Sequence, residues 1–216
     1  MPGQNLLKIY RLYASWAEEF AFACRKGCST CCTQSVSMTM LEGELIHDYI
    51  RSERPELMDI LDNLPKSSAP PKTTNQFAAA CLMEEESDDG PVSWNMAPCV
   101  FLRDNCCSIY PVRPFMCRSF GSTVRCDLLG EAEIEPLFLT LNTAVLQCIE
   151  HLDQGRPWGN MNTILQMVKE KRSGESDRHM KNVRICSPLP GFLIPPDEAA
   201  AMHGKLQILM DIIGSR

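Results

Sequence analysis

The spacing of apolar residues predicts four helices, one near the start of the chain and three in its second half. Residues 5–26 repeat apolar side chains at i, i+3, i+4 and i+7, the period of an amphipathic helix that runs into the first cysteine group. The repeat consists of Leu6, Ile9, Tyr10, Tyr13, Trp16, Ala17, Phe20 and Ala21. Similar spacing predicts helices over residues 136–149, 160–171 and 197–213.

A capping signal marks the start of a further helix. Thr39 is followed three residues later by Glu42, which is the spacing of a capping box. The apolar face of this helix would consist of Leu41, Leu45, Ile46 and Tyr49. Shorter helices are predicted over residues 56–64 and 77–83, and the proline-rich residues 65–75 predict an exposed linker.

The helical pattern breaks in residues 91–130, which contain five of the cysteines. The prolines there are Pro91, Pro98, Pro111 and Pro114. Such a segment is typical of loop, with at most a short strand such as residues 100–102. The acidic run at residues 84–90 predicts a solvated loop. We therefore expect a mainly α fold with an irregular cysteine-rich central segment that a metal site organises.

Length and composition fit one domain over residues 1–216, with a core signature at about 20–126 and a C-terminal helical part at about 136–213. The net charge of −6 and the lack of a basic cluster beyond residues 169–172 argue against a nucleic-acid binder. No apolar run is long enough for a signal peptide or a membrane span. The sequence thus predicts a cytoplasmic protein.

Cytoplasmic thiols are kept reduced, so the 12 cysteines indicate metal or thiol chemistry in place of disulfides. The first group has the spacing C-x3-C-x2-C-C and consists of Cys24, Cys28, Cys31 and Cys32. On a helix the four side chains would share an arc of roughly 100°. If Gly27 ends the helix, the last two lie on a tight turn instead. In either case the sulfurs can converge on a cation, either zinc or an iron–sulfur cluster.

The second group follows after a gap of 66 residues and consists of Cys99, Cys106, Cys107, Cys117 and Cys126. Pro111 and Pro114 stiffen the chain before Cys117, which lowers the entropy cost of holding the sulfurs in place. Arg113 and Arg118 flank Cys117, and guanidinium groups can offset the negative charge of a thiolate centre.

The order of these motifs resembles the YkgJ-type cysteine-cluster proteins, which are described as zinc- or iron-chelating. The matching runs are C-x3-C-x2-C-C, then Cys99-Val-Phe101-Leu102, Cys107-Ser-Ile109-Tyr110 and Arg113-Pro114-Phe115-Met116-Cys117-Arg118-Ser119-Phe120. Flagellin lysine N-methylases share the cysteine signature, and that resemblance suggests an iron–sulfur cluster.

From the residues and the resemblance together we predict eight metal ligands and three residues beside the metal centre. The ligands are Cys24, Cys28, Cys31, Cys32, Cys99, Cys107, Cys117 and Cys126. The neighbours of the centre are Tyr110, Arg113 and Arg118. Cys106 is an additional cysteine, and Cys81 and Cys148 are predicted to be buried apolar residues of helices. Cys186 is left open between a buried residue and a ligand.

The cofactor is predicted to be an iron–sulfur cluster or zinc, with 4Fe–4S favoured because the two C-x2-C knuckles of a zinc ribbon are absent. Four sulfurs bind one cluster, so eight could also build two sites, or one site plus a structural zinc. The expected role is electron transfer, metal handling or a structural centre, and an unidentified protein partner is left open. The alternatives are a cluster-dependent modifying enzyme of the methylase type and a metal-free thiol-redox protein. No catalytic residue is assigned.

Overall fold

The computed structural model describes residues 2–67, 71–85, 95–174 and 179–214. The helices are α1 (Pro2–Ala17), α2 (Met40–Glu53), α3 (Met58–Asp62), α4 (Thr74–Leu82), α5 (Phe115–Arg118), α6 (Cys126–Leu129), α7 (Pro136–Leu152), α8 (Met161–Ser173) and α9 (Ala199–Gly214). The strands are β1 (Ser37–Thr39), β2 (Leu102–Arg103), β3 (Cys106–Cys107), β4 (Pro157–Asn160) and β5 (Arg184–Ile185). The prediction of a mainly α protein is confirmed.

Two hydrophobic clusters hold these elements together. In the first, α1, α7 and α9 pack around Phe115 and Phe138, which are almost completely buried. In the second, α2 and α8 pack against the cysteine-rich segment through Phe101 and Ile109, which are 0% and 1% exposed. The loop that contains the second cysteine group is therefore anchored in the core by apolar side chains of its own.

A small antiparallel sheet in the order β1-β4-β5 lies at the start of α2 and α8. Ser37 is paired with Asn160, and Trp158 of β4 is paired with Arg184 of β5. The sequence did not predict this sheet, because strands of two to four residues are too short to show an alternating pattern.

The capping box at the start of α2 is confirmed. The Thr39 hydroxyl accepts a 3.2 Å hydrogen bond from the Glu42 amide, and the Thr39 amide donates to the Glu42 carboxylate at 2.9 Å. Glu42 is only 3% exposed, so this carboxylate lies inside the protein and must find several hydrogen-bond donors there.

The predicted first helix is too long. In the structure α1 ends at Ala17, and the chain continues without helix to a turn at Gly27, where φ is +86°. Phe20 and Phe22 pack on Phe138 with ring centroids 5.0 and 4.7 Å apart, so these aromatic residues serve a core contact and not a helix face. Cys24 therefore lies on irregular chain.

The cysteines outside the two groups differ in their surroundings. Cys148 is buried in α7, as predicted, and Cys186 is buried at 3% exposure. The prediction for Cys81 is wrong, since it lies on the exposed side of α4. The predicted strand at residues 100–102 is shifted, because the hairpin begins only at Leu102.

Two predicted loops extend outside the described residues: the linker at its residues 68–70 and the acidic run from residue 86 onward. Within the described ranges, no helix has both the length and the apolar character needed to cross a membrane.

Candidate metal centre

Backbone pairing brings the two cysteine groups side by side. The amide of Cys99 donates a 2.9 Å hydrogen bond to the carbonyl oxygen of Cys32. The amide of Gln34 donates to the carbonyl oxygen of Ala97 at the same distance, which completes a short antiparallel bridge. Segments that are far apart in sequence thus become neighbours in space without any cross-link between them.

A tight hairpin then places Cys107 near Cys99. In the β2–β3 hairpin, Leu102 is opposite Cys107. The turn residues Asp104 and Asn105 have φ of +49° and +57°, which aspartate and asparagine tolerate better than most residues. The Ser29 hydroxyl lies 3.1 Å from the Asn105 side-chain oxygen, a second contact between the two cysteine-bearing segments.

The buried carboxylate of Glu42 positions the short helix that contains Cys117. Its Oε1 accepts a 2.7 Å hydrogen bond from the Phe115 amide at the start of α5 and another of 2.7 Å from the Tyr10 hydroxyl. The Phe115 ring packs edge-on against Tyr13, with centroids 4.6 Å apart. The sequence predicted Glu42 only as part of a helix cap and gave no sign of this second role.

Backbone amides point at two of the sulfurs. The Phe101 amide hydrogen-bonds to the Cys99 sulfur and the Ile109 amide to the Cys107 sulfur, in the same Cys-x-apolar arrangement. Burial raises the pKa of both thiols, whereas these amides lower it. Because the Phe101 and Ile109 side chains are locked in the core, the amides are held in the orientation that favours a thiolate.

Four half-buried cysteines form what we call the four-thiol set: Cys32, Cys99, Cys107 and Cys117. Burial raises the pKa of the Cys117 thiol, and the neighbouring Cys99 and Cys107 raise it further. A hydrogen bond from the Cys31 side chain lowers the pKa of Cys32, which interacts electrostatically with the other three members of the set. The four thiols therefore lie within electrostatic range of one another.

Three further cysteines lie together beside the four-thiol set. Cys24, Cys28 and Cys126 line one small cavity, and we call them the cavity set. The Ala23 amide donates to the Ser122 carbonyl oxygen at 2.8 Å, which ties the first cysteine segment to the chain before α6.

Arg113 lies next to the sulfurs with part of its hydrogen-bonding capacity unused. Its guanidinium carbon is 3.8 Å from the centre of the Tyr110 ring, and its charge lowers the pKa of Cys107 and Cys117 against the larger, raising effect of burial. Its buried Nε has no hydrogen-bond partner among the described residues. A buried cationic donor of this kind suits a negatively charged thiolate centre.

The other two predicted neighbours of the centre are placed differently. The Arg118 guanidinium donates to the carbonyl oxygens of Arg113 at 3.0 Å and Pro111 at 2.7 Å, and lies 4.2 Å from the centre of the Tyr10 ring. Arg118 thus fixes the loop that presents Arg113. Tyr110 is 58% exposed, and its ring supports the Arg113 side chain.

The sulfur donors are of the type that binds zinc or an iron–sulfur cluster, but they are not arranged to hold one. Across the described ranges, no three cysteine, histidine or carboxylate side chains form a ready coordination sphere. Binding would therefore have to pull the sulfurs inward, and coupling of metal binding to local ordering is common in small metal domains.

A family model described as "Putative zinc- or iron-chelating domain" matches residues 23–135. This segment contains the four-thiol set, the cavity set, Cys31 and Arg113. The chain belongs to the CxxCxxCC family. The resemblance based on the cysteine spacing is thereby confirmed, and metal binding in general is supported. No curated protein and no solved structure matches the chain.

Proposed function

We propose that this CxxCxxCC protein binds an iron–sulfur cluster through the four-thiol set, with a zinc ion as the second candidate. The observation that supports the proposal is the arrangement of the set: three separate segments bring four half-buried thiols within electrostatic range of one another. Two of these sulfurs accept backbone hydrogen bonds.

The surroundings of the sulfurs favour a centre with net negative charge. Four thiolates around a divalent ion, or around an oxidised 4Fe–4S core, carry a formal charge of about −2. The Phe101 and Ile109 amides direct the positive ends of their dipoles at the Cys99 and Cys107 sulfurs. The Arg113 guanidinium adds a full positive charge near Cys117. Such hydrogen bonds and charges set the reduction potential of a cluster.

A bound cluster would supply one-electron chemistry, and the residues of the chain would hold and tune it. Glu42 fixes α5 and with it Cys117, while the bridge between Cys32 and Cys99 fixes the other half of the set. All four cysteines keep some exposure, so electrons would not have to cross a thick layer of protein. Electron transfer is therefore the role we favour over a purely structural centre.

The proposal is tested by removing one ligand beside a matched control. Cys117→Ser should lose iron and sulfide, or zinc if zinc is the metal. Cys106→Ser changes an exposed cysteine next to Cys107 and should retain full metal content. Equal metal content in both variants and the wild-type protein would overturn the assignment of the four-thiol set.

A further inference from the structure

The two cysteine-bearing stretches of the chain differ in charge from the rest of it. Residues 23–32 and 99–127 contain six of the 21 basic residues and two of the 27 acidic ones, which gives them a net charge of +4. The rest of the chain, with 15 basic and 25 acidic residues, carries −10. The net charge of −6 therefore combines two regions of opposite sign, and such asymmetry orients a charged partner as it approaches.

Four of these cations lie at the surface around the thiols and form what we call the basic rim. They are Arg25, Lys26, Arg103 and Arg125. Two of them meet at one carboxylate, since Asp127 lies 2.6 Å from the Arg125 guanidinium and 3.6 Å from that of Arg25. Because two arginines share one aspartate, this part of the rim keeps an excess of positive charge.

Two adjoining turns place Lys26 beside Arg103. Lys26 lies in the turn over residues 25–28, which a 3.0 Å backbone hydrogen bond closes. Just after this turn, the Ser29 hydroxyl lies 3.1 Å from the Asn105 side chain at the tip of the β2–β3 hairpin, which also contains Arg103. The side chains of Lys26 and Arg103 are exposed, and neither forms an ion pair within the described ranges.

We propose that the basic rim is the docking surface for an electron carrier protein whose own redox group is surrounded by carboxylates. This inference rests on the proposed function, since the carrier would dock here to exchange an electron with the cluster of the four-thiol set. A reduced carrier would lose one electron and the oxidised cluster would gain it, with no transfer of atoms. Complementary charges at such a surface speed association and select the partner.

The basic rim lies beside the four-thiol set. The turn that contains Lys26 is followed by Cys32, and the β2–β3 hairpin contains Cys107. Burial raises the pKa of Cys99, and the Arg103 guanidinium acts against this rise, so its charge lies within electrostatic range of that thiol. A carrier on the rim would therefore meet the centre across a short distance.

Compensation of the charge on the centre does not account for the rim. The half-buried Arg113 lies within electrostatic range of Cys117 and serves that purpose. Arg25 has 56% of its side chain exposed and Lys26 is exposed as well, and solvent screens charges in such positions. Cations that face solvent around a redox centre are placed to meet a partner.

The composition of this surface favours a protein over a nucleic acid. The exposed Asp104 and Asp127 interrupt the four cations of the rim, whereas binding to a phosphate backbone requires a more extended basic surface. On the same cysteine-bearing stretch, Tyr110 is 58% exposed and lies against the Arg113 guanidinium. Tyrosine and arginine are enriched in protein interfaces.

The test measures the binding of two acidic electron carriers, flavodoxin and a plant-type ferredoxin, to anaerobically purified protein. Titration calorimetry at about 0.15 M salt is suitable, because charges more than about 8 Å apart are then largely screened. Lys26→Glu and Arg103→Glu should each weaken binding about two- to fivefold and keep the wild-type metal content. Arg11→Glu makes the same change in net charge on the exposed side of α1 and should bind as the wild-type protein does.

Lys26→Glu is the decisive variant, because Arg103 also donates hydrogen bonds to the carbonyl oxygens of Val100 and Leu102. Equal binding of both carriers by Lys26→Glu and the wild-type protein would overturn the docking surface. A wild-type protein that binds neither carrier would do the same. So would tighter binding of a duplex oligonucleotide that Lys26→Glu loses.

The iron, zinc and sulfide content of the same preparations separates this inference from the proposed function. A wild-type protein without metal refutes the proposed function. A metal-loaded protein whose binding of the carriers does not respond to Lys26→Glu refutes the docking surface alone.

Discussion

The carbonyl oxygen of Cys32 accepts a 2.9 Å hydrogen bond from the amide of Cys99, and this contact joins the two cysteine groups. Both residues belong to the four-thiol set. Because the link runs through the backbone, it does not depend on which metal is bound or on the oxidation state of the sulfurs. Backbone pairing thus brings the two cysteine groups together without metal, and metal binding would complete the coordination.

Replacing Glu42 should weaken both the fold and the metal centre. Glu42→Gln removes a buried charge that accepts hydrogen bonds from Phe115 and Tyr10, and hydrogen bonds to charged groups are worth about 1.5–3 kcal/mol each. We expect a lower free energy of unfolding and a faster loss of metal to a chelator. Glu53→Gln, an exposed site at the end of the same helix, is the control and should behave as the wild-type protein. Chelator kinetics indistinguishable among all three proteins would refute a positioning role for Glu42.

Removing the positive charge of Arg113 should lower the reduction potential of a bound cluster. Arg113→Met keeps much of the apolar side chain but loses the guanidinium, which favours the more negative, reduced state. The shift is measured by a spectroscopic redox titration. Arg11→Met, an exposed change on α1, should leave the potential where it is. An unchanged potential in Arg113→Met would mean that this guanidinium does not face the centre.

Truncating Ile109 tests whether the Cys-x-apolar arrangement holds its amide on the sulfur. Ile109→Val removes one buried methyl group and should cost about 0.5–1.5 kcal/mol of stability. Ile109→Ala should cost about 2–5 kcal/mol and also loosen the metal, because the Ile109 amide then loses its anchor beside Cys107. Thermal unfolding gives the first quantity and competition with a chelator the second. Metal retention that is equal in both variants would show that the amide is held by other contacts.

Metal affinity should fall as the pH falls. Burial raises the pKa of Cys99, Cys107 and Cys117 above the ordinary thiol value, so without metal these three carry protons at neutral pH. Each must lose its proton when metal binds, whereas Cys32, whose pKa is lowered, gives up its proton more easily. Binding should therefore release a proton from each of these three thiols, and the logarithm of the affinity should rise with pH. Calorimetry in buffers of different ionisation enthalpy counts these protons, and a count of zero would contradict the ligand assignment.

Much of the helical frame could be predicted from the sequence, since the capping box at Thr39 and the apolar repeats of α1, α7, α8 and α9 are local signals. The end of α1 was not predicted, because Phe20 and Ala21 continue its apolar pattern, whereas in the structure Phe20 packs on Phe138 together with Phe22. Tertiary contacts decide such cases.

The candidate site was predictable in composition but not in grouping. Spacing indicated which cysteines to consider, and the family match covers the segment that contains them. The spacing gave no sign that the adjacent residues Cys31 and Cys32 differ in their neighbours, or that Cys126 lies with Cys24. Those relationships depend on the backbone bridge at Cys99 and on the contacts around Ser122, which join distant parts of the chain.

The central claim is tested most directly by purifying the full chain without oxygen and measuring its visible spectrum together with its iron, zinc and acid-labile sulfide. We expect a brown protein with equal amounts of iron and sulfide. A colourless protein that contains zinc and no iron would contradict the iron–sulfur assignment and make the four-thiol set a zinc site. A protein that holds neither metal, even after both are supplied under reducing conditions, would contradict metal binding altogether and leave thiol-redox chemistry as the account of its cysteines.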